Sequence, residues 1–238
     1  MDLLPAIDLR RGRAVRLRQG DAARETVYAD DPVALVASYK DAGVGRVHVV
    51  DLDAAFGEPP QRALIERLAA LLPVQLGGGL RDGAAIAWAF AAGCERAVVG
   101  SLVVREPEKF ADLARAHAGR LVPALDVERG AVRVAGWREA AGRTLAELCR
   151  ELRGLPCPAV LVTDVERDGM MSGPNFSLTQ QVARDCGLPA LLSGGIQGLE
   201  DLRATRGMDG IAGAVVGRAL YEGAFTVAEA LAALGGGR

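Results

Sequence analysis

The chain has 238 residues, half of them hydrophobic, with 28 Lys and Arg against 30 Asp and Glu and a formal net charge of −2. That length suits one large α/β core, and the near-neutral balance without a basic run excludes a nucleic-acid or anionic-membrane surface. The longest apolar stretch, around 84–94, is too short to cross a bilayer, and Cys94, Cys149, Cys157 and Cys186 lack CxxC spacing, so reduced thiols of a cytoplasmic protein are expected, not a zinc site or a disulfide frame.

Residues 3–8 read as the first strand and 12–20 as a loop with a short alternating excursion. Asp31-Pro32 opens a helix, with Asp31 as N-cap and Pro32 in its first position. Val33, Leu35, Val36, Tyr39 and Ala42 form its apolar face, and Gly43 stops it. An apolar strand over 46–52 follows, of the kind a sheet covered on both faces requires. Then come a helix from Pro59/Pro60 to 71, a strand at 74–76, a helix at 82–92, a strand at 96–99 and a helix at 107–117. The second half repeats the plan. It has a strand at 121–126, a loop carrying Trp137, and a helix at 144–152 whose Thr144 and Glu147 have capping-box spacing. A strand at 159–164 and a helix at 174–186 follow, then a strand at 190–192 and a helix at 199–205. A strand at 213–216 and a terminal helix at 224–234 end the series, and 235–237 reads as a frayed tail.

The halves also match residue by residue. Pro5-Ala6-Ile7-Asp8-Leu9-Arg10-Arg11-Gly12 returns as Pro123-Ala124-Leu125-Asp126-Val127-Glu128-Arg129-Gly130. Ala14-Val15-Arg16-Leu17 returns as Ala131-Val132-Arg133-Val134. Asp51 answers Asp164, Gly78-Gly79 answers Gly194-Gly195, and Gly100-Ser101 answers Gly217-Arg218, all in the same order. Eight strands alternating with eight helices around an internal duplication predict a closed (β/α)8 barrel. It would be a single domain over 1–238 built from half-barrels at about 1–118 and 119–238. An open sheet has edges and a switch point that a symmetric duplication would not produce.

Barrel chemistry lies at the C-terminal strand ends, where Asp8, Asp126 and the glycine turns fall. Half-barrel symmetry puts Asp8 and Asp126 across the mouth from each other, and opposed carboxyls can divide the roles of base and acid. A strand-end aspartate can also simply cap loop amides; the symmetric pair favours function. Gly78, Gly79, Gly100 and Ser101 on one side, and Gly194, Gly195, Gly217 and Arg218 on the other, let backbone amides crowd round anions. Two facing phosphate sites imply a small substrate phosphorylated at both ends. His48 and His117 make no metal cluster, and Lys40 and Lys109 lie in helices, which disfavours Schiff-base lysine chemistry. Trp137, in the loop after the fifth strand, could stack on a planar heterocycle or simply pack its loop.

The motifs 4–8, 15–21, His48-Val49-Val50-Asp51-Leu52-Asp53 and Gln75-Leu76-Gly77-Gly78-Gly79 resemble the histidine-biosynthesis isomerases known as the ProFAR isomerase (HisA) family. So do Thr163-Asp164, Arg167-Asp168-Gly169, Gly173-Pro174-Asn175, Ser193-Gly194-Gly195 and Val216-Gly217-Arg218-Ala219-Leu220-Tyr221. The resemblance covers nearly the whole chain. It implies a cofactor-free Amadori rearrangement of an aminoaldose to an aminoketose, carried out by a cytoplasmic monomer. Asp8 would be the general base, and Asp126 the general acid that opens the ribose ring. Arg16, Gly20, His48, Trp137 and Asp168 would bind substrate, and Gly169 would join the phosphate turns. Met170 and Met171 stand where many members have Thr-Leu. Asp53-Ala54-Ala55-Phe56-Gly57 is closer to bifunctional relatives that also isomerise phosphoribosylanthranilate, but Gly77 and Ala135 replace the serine and arginine those relatives tend to carry. The alternatives are therefore that dual isomerase and a non-catalytic phosphosugar-binding barrel.

Overall fold

The computed structural model describes residues 1–18, 21–137 and 139–235, with the side chains of 18 and 21–23 left aside. Of the expected C-terminal tail, 236 and 237 lie outside the described residues. Eight parallel strands close a ring. In chain order they are β1 (Asp2–Arg10), β2 (Val47–Asp51), β3 (Val74–Gly77), β4 (Arg96–Val99), β5 (Leu121–Glu128), β6 (Val160–Asp164), β7 (Ala190–Ser193) and β8 (Ile211–Val216). Each pairs with the next. β8 pairs with β1 through Leu3↔Ala214 and β5 with β6 through Thr163↔Asp126, so no edge remains in the ring. The fold is the (β/α)8 barrel, and three strands lie between β1 and β5 on either path round it.

The principal helices are α1 (Pro32–Asp41), α2 (Arg62–Leu71), α3 (Gly83–Ala91), α4 (Pro107–Ala116), α5 (Leu145–Leu152), α6 (Phe176–Cys186), α7 (Leu199–Arg206) and α8 (Val227–Ala233). Side chains cap many of their starts, satisfying orphan first-turn amides. Asp31 accepts from the amides of Val33 and Ala34, Asp82 from Ala85, and Asn175 from Leu178. Thr144 with Glu147 forms the expected capping box, and Thr226 with Glu229 forms a second one that the spacing had not singled out. On α1, Pro32, Val36 and Tyr39 are buried; Ala42 lies just past the helix end and is exposed.

Two packed layers hold the barrel. Outward-facing strand residues such as Ile7, Val49, Leu76, Val99, Leu125 and Val162 pack against the helices. Inside the ring, Leu4, Ala6, Val98, Val122, Leu161, Leu191 and Val215 fill the interior below the mouth. That interior layer makes the barrel a packed core with a site on top, not a pore. Among the described residues, no helix is long and apolar enough to cross a membrane.

In two loops the structure turns the second alternating run of each repeat copy into paired strands. The segment after β1 is an antiparallel pair, Arg13–Arg18 with Asp21–Ala29, the first of these strands also pairing with β1. The segment after β5 likewise holds short strands, Ala131–Val134 and Glu139–Ala140. In both, the barrel strand runs past the rim and turns back over two residues with positive φ: Arg11 at 49° and Gly12 at 79°, then Arg129 at 50° and Gly130 at 80°. Two successive left-handed residues make the hairpin turn that matches strand twist. Short helices also follow β2 (Leu52–Phe56), β4 (Ser101–Arg105) and β8 (Arg218–Tyr221), each too short for periodicity to reveal.

Candidate active site

A cavity of about 610 Å³ opens at the C-terminal ends of the strands. Asp8, Arg16, His48, Trp137, Asp126, Asp168, Gly169 and the glycine turns of all four matched loops line it. Of the expected site residues only Gly20 is missing; it lies outside the described residues.

The strand-end aspartates divide into two kinds. Asp51 accepts from the backbone amides of Ala54 and Gln61, and Asp164 accepts from the amide of Glu166 and the side-chain amide of Asn175. These two tie their loops together. Asp8 and Asp126 cap no loop amide among the described contacts and face the cavity instead. The bland reading of a strand-end aspartate thus fits one symmetric pair and not the other.

Asp8 and Asp126 have different partners. Arg16 Nη1 donates to Asp8 Oδ2 at 2.9 Å, and Arg16 Nη2 donates to Asp168 Oδ2 at 3.3 Å, with all three side chains largely buried. Trp137 Nε1 donates to Asp126 Oδ2 at 2.9 Å. Burial pushes the Asp8 carboxyl up to about 6, against the pull of the Arg16 guanidinium and with a further push from Asp168. Burial also raises Asp126, opposed by hydrogen bonds from Thr163 and Trp137 and assisted by Asp168. Each carboxyl is therefore poised to exchange a proton nearer neutrality than a solvated one.

The repeat makes this difference visible. Matched by sequence, Arg16 answers Arg133. In the hairpins, however, Asp8 lies opposite Val15 and Asp126 opposite Arg133, so the arginines are one residue out of step. A one-residue slip in a strand reverses the face a side chain occupies. Directly paired residues share a face, so the register alone would bring Arg133, not Arg16, to its aspartate. The contacts run the other way, with Arg16 reaching Asp8 while Arg133 donates from Nε and Nη2 to the backbone oxygen of Trp137 and helps hold that indole over Asp126. Trp137 itself has φ of 69°, an uncommon conformation for a bulky residue.

The glycine turns form two sets on opposite arcs of the rim. Gly78 and Gly195 both have φ of 90°, and a Cβ on either would lie 2.3 Å from a backbone oxygen, of Asp51 and Gly173 respectively. Only glycine lets these turns pass so close to the backbone of the preceding strand end or loop. Gly100 and Gly217 each precede a short helix, and Arg218 Nη1 donates to Gly169 O at 2.7 Å, joining the loops after β6 and β8. Ser101 Oγ accepts from the amide of Ala135, which ties the fourth loop to the one carrying Trp137.

His48 is buried on the cavity floor, opposite Ala6 on the neighbouring strand and so just below Asp8. Burial and the nearby Arg16 charge lower its pKa to about 4, so its ring is neutral at pH 7. Sequence reasoning missed Thr163 beside Asp126 and Gln75 beside His48. The signal for Gln75 was available, as the one polar side chain in an otherwise apolar strand, Val74–Gly77. Among the described residues, no group of three or more His, Cys, Asp or Glu is placed to hold a metal ion.

Fold and rim together define a (β/α)8-barrel enzyme whose buried carboxyls face one cavity. Residues 2–226 match the model of the family described as histidine biosynthesis protein, and the chain belongs to that family. Its relatives include a protein of Sorangium cellulosum, 45% identical over 239 residues, covering 98% of this chain and 99% of the relative. Another, from Alkalilimnicola ehrlichii, is 42% identical over 236 residues, covering 97% and 95%. A third, from Geotalea daltonii, is 40% identical over 237 residues, covering 98% and 97%. All three are named 1-(5-phosphoribosyl)-5-((5-phosphoribosylamino)methylideneamino) imidazole-4-carboxamide isomerase, the ProFAR isomerase.

Proposed function

We propose that this chain isomerises ProFAR to its ribulosyl isomer in histidine biosynthesis, an aldose–ketose rearrangement driven by side-chain acid–base chemistry without a cofactor. The relatives' shared name supports the substrate. The observation that carries the mechanism is the partnering of the two rim carboxyls: Asp8 with a cation, Asp126 with an indole N–H. A cation beside Asp8 favours its ionised form, as a base requires. Asp126 has no cation against it, and burial raises its pKa, which favours the proton it must give, with the Trp137 and Thr163 hydrogen bonds opposing that rise.

Protonated Asp126 donates to the ribose ring oxygen as the bond from that oxygen to C1 breaks, and the nitrogen lone pair forms the Schiff base. Asp8 then takes the C2 proton, and the C–H electron pair moves through C1 to the iminium nitrogen. The resulting enaminol tautomerises to the ketone, with no net oxidation. The two glycine sets would hold the phosphates at opposite ends of the substrate, with Gly78, Gly79, Gly100 and Ser101 at one end. Gly169, Gly194, Gly195, Gly217 and Arg218 would serve the other. Arg16, His48, Trp137 and Asp168 would contact the part between. The enzyme would work as a single-domain monomer in the cytoplasm.

The test is an assay of the purified protein with ProFAR and, separately, phosphoribosylanthranilate, without cofactor and in the presence of a chelator. Turnover of ProFAR unchanged by the chelator is expected. No turnover, or turnover restored only by a divalent metal, overturns the reading.

A further inference from the structure

The interior of the barrel holds one amide with a single evident use. Gln75 on β3 is fully buried, and its Nε2 lies 3.1 Å from His48 Nδ1 on β2. Its Oε1 is buried and has no hydrogen-bond partner among the described residues. A half-satisfied amide in an apolar interior is costly, so its one hydrogen bond is the feature to explain. His48 lines the cavity, and its bond to Gln75 is made through Nδ1, which leaves Nε2 as the ring nitrogen not engaged by the amide.

We propose that Gln75 is a positioning residue that holds His48 in the Nε2–H tautomer, so that a neutral N–H donor faces substrate on the cavity floor beside Asp8. The logic is that of donors and acceptors. The amide nitrogen of Gln75 can only donate, so Nδ1 must be the unprotonated, accepting nitrogen. A neutral imidazole carries one proton, which then sits on Nε2. The Arg16 guanidinium acts on the same ring and disfavours an imidazolium there. A neutral ring gives a directed hydrogen bond without adding a second cation beside the base. An imidazolium would compete with Arg16 for the Asp8 carboxylate and weaken its basicity. The role assigned to the N–H rests on the isomerase reading; the tautomer does not.

The experiment separates the two. The chain has two histidines, so a His117→Gln background leaves one imidazole, and long-range nitrogen–proton correlation spectra of the labelled ring report its tautomer. The expected spectrum at pH 7 has a pyrrole-like Nε2 and a pyridine-like Nδ1. The reverse pattern overturns the proposal whatever the enzyme's activity. Gln75→Glu places an acceptor against Nδ1 and should swap the tautomer. Its kcat should fall at least tenfold while KM moves less than threefold, as expected for a donor used in the transition state. Gln75→Met, which keeps the bulk without a buried charge, should give mixed tautomers and an intermediate loss; it serves if the glutamate variant does not fold. A variant with altered tautomer and kcat within twofold of wild type sinks the catalytic role. A wild type that never isomerises ProFAR sinks the functional reading and leaves the tautomer to the spectra.

Discussion

Arg16 Nη1 sits 2.9 Å from Asp8 Oδ2, and the same guanidinium reaches Asp168 in the loop after β6, so one cation holds two carboxylates together. Arg16 pulls the Asp8 pKa down, and Asp168 pushes it up. Arg16→Gln removes the downward pull and leaves the Asp168 charge uncompensated. The acidic limb of kcat/KM, set by ionisation of Asp8 near 6 in the parent, should therefore move to higher pH, by about one unit or more. An acidic limb unmoved or shifted downward would remove Asp8 from the role of base.

The same burial predicts a stability signature. Asp8 rises from 3.8 to about 6 on folding, so between those values the folded chain binds more protons than the unfolded one. Its contribution to stability is thus largest below about pH 4, declines as pH rises through the window, and is flat above it. Across the window the decline amounts to about 3 kcal/mol. Asp8→Asn lacks this titration. Its melting temperature relative to wild type should climb between pH 4 and 7, and a difference independent of pH would contradict the raised pKa.

Gly78→Ala and Gly195→Ala should be folding lesions first and phosphate-site lesions second. Each adds a Cβ 2.3 Å from a backbone oxygen at a φ of 90°. We expect each to cost about 2 kcal/mol or more, read as a lower urea midpoint. The phosphates are better tested in crystals grown with sulfate. Anions should occupy the turns at Gly78, Gly79, Gly100 and Ser101, and those at Gly194, Gly195, Gly217 and Arg218. Clear density with neither site filled would end the two-phosphate reading.

The barrel was legible because its signals are local and repeated: apolar strand centres, capping residues such as Asp31 and Thr144, and glycine after each matched strand. The two rim hairpins were legible in part: each copy of the repeat reads as a strand, a polar turn with a glycine and a second alternating run, but the alternation past the rim is brief and carries charged residues, so its pairing back onto the strand was not read. Sequence matching also paired Arg16 with Arg133, because the extra Arg13 lies within a strand where an insertion leaves no mark on composition. Which arginine meets a carboxylate is visible only in three dimensions: Arg133 is the register partner of Asp126 but binds the Trp137 carbonyl, while Arg16, one residue off the register of Asp8, reaches it. Gln75 escaped for a related reason: its meaning depends on His48, its register partner on the adjacent strand.

Trp137 gives the last prediction, because its indole is the one neutral donor that can be removed from Asp126 with an aromatic ring left in place. Trp137 Nε1 donates to Asp126 Oδ2 at 2.9 Å, and this bond lowers the carboxyl's pKa. In Trp137→Phe the carboxylate loses that donor, and its pKa should rise. A general acid must be protonated to act, so the basic limb of the rate profile should shift to higher pH while the acidic limb, belonging to Asp8, stays where it was. Asp126→Asn cannot donate a proton at any pH and should lower kcat by about a hundredfold or more; Asp8→Asn should lose as much. If the two act as a unit, the double variant should be little worse than either alone. A basic limb that moves down in Trp137→Phe, or a near wild-type kcat in Asp126→Asn, would take Asp126 out of the acid's role.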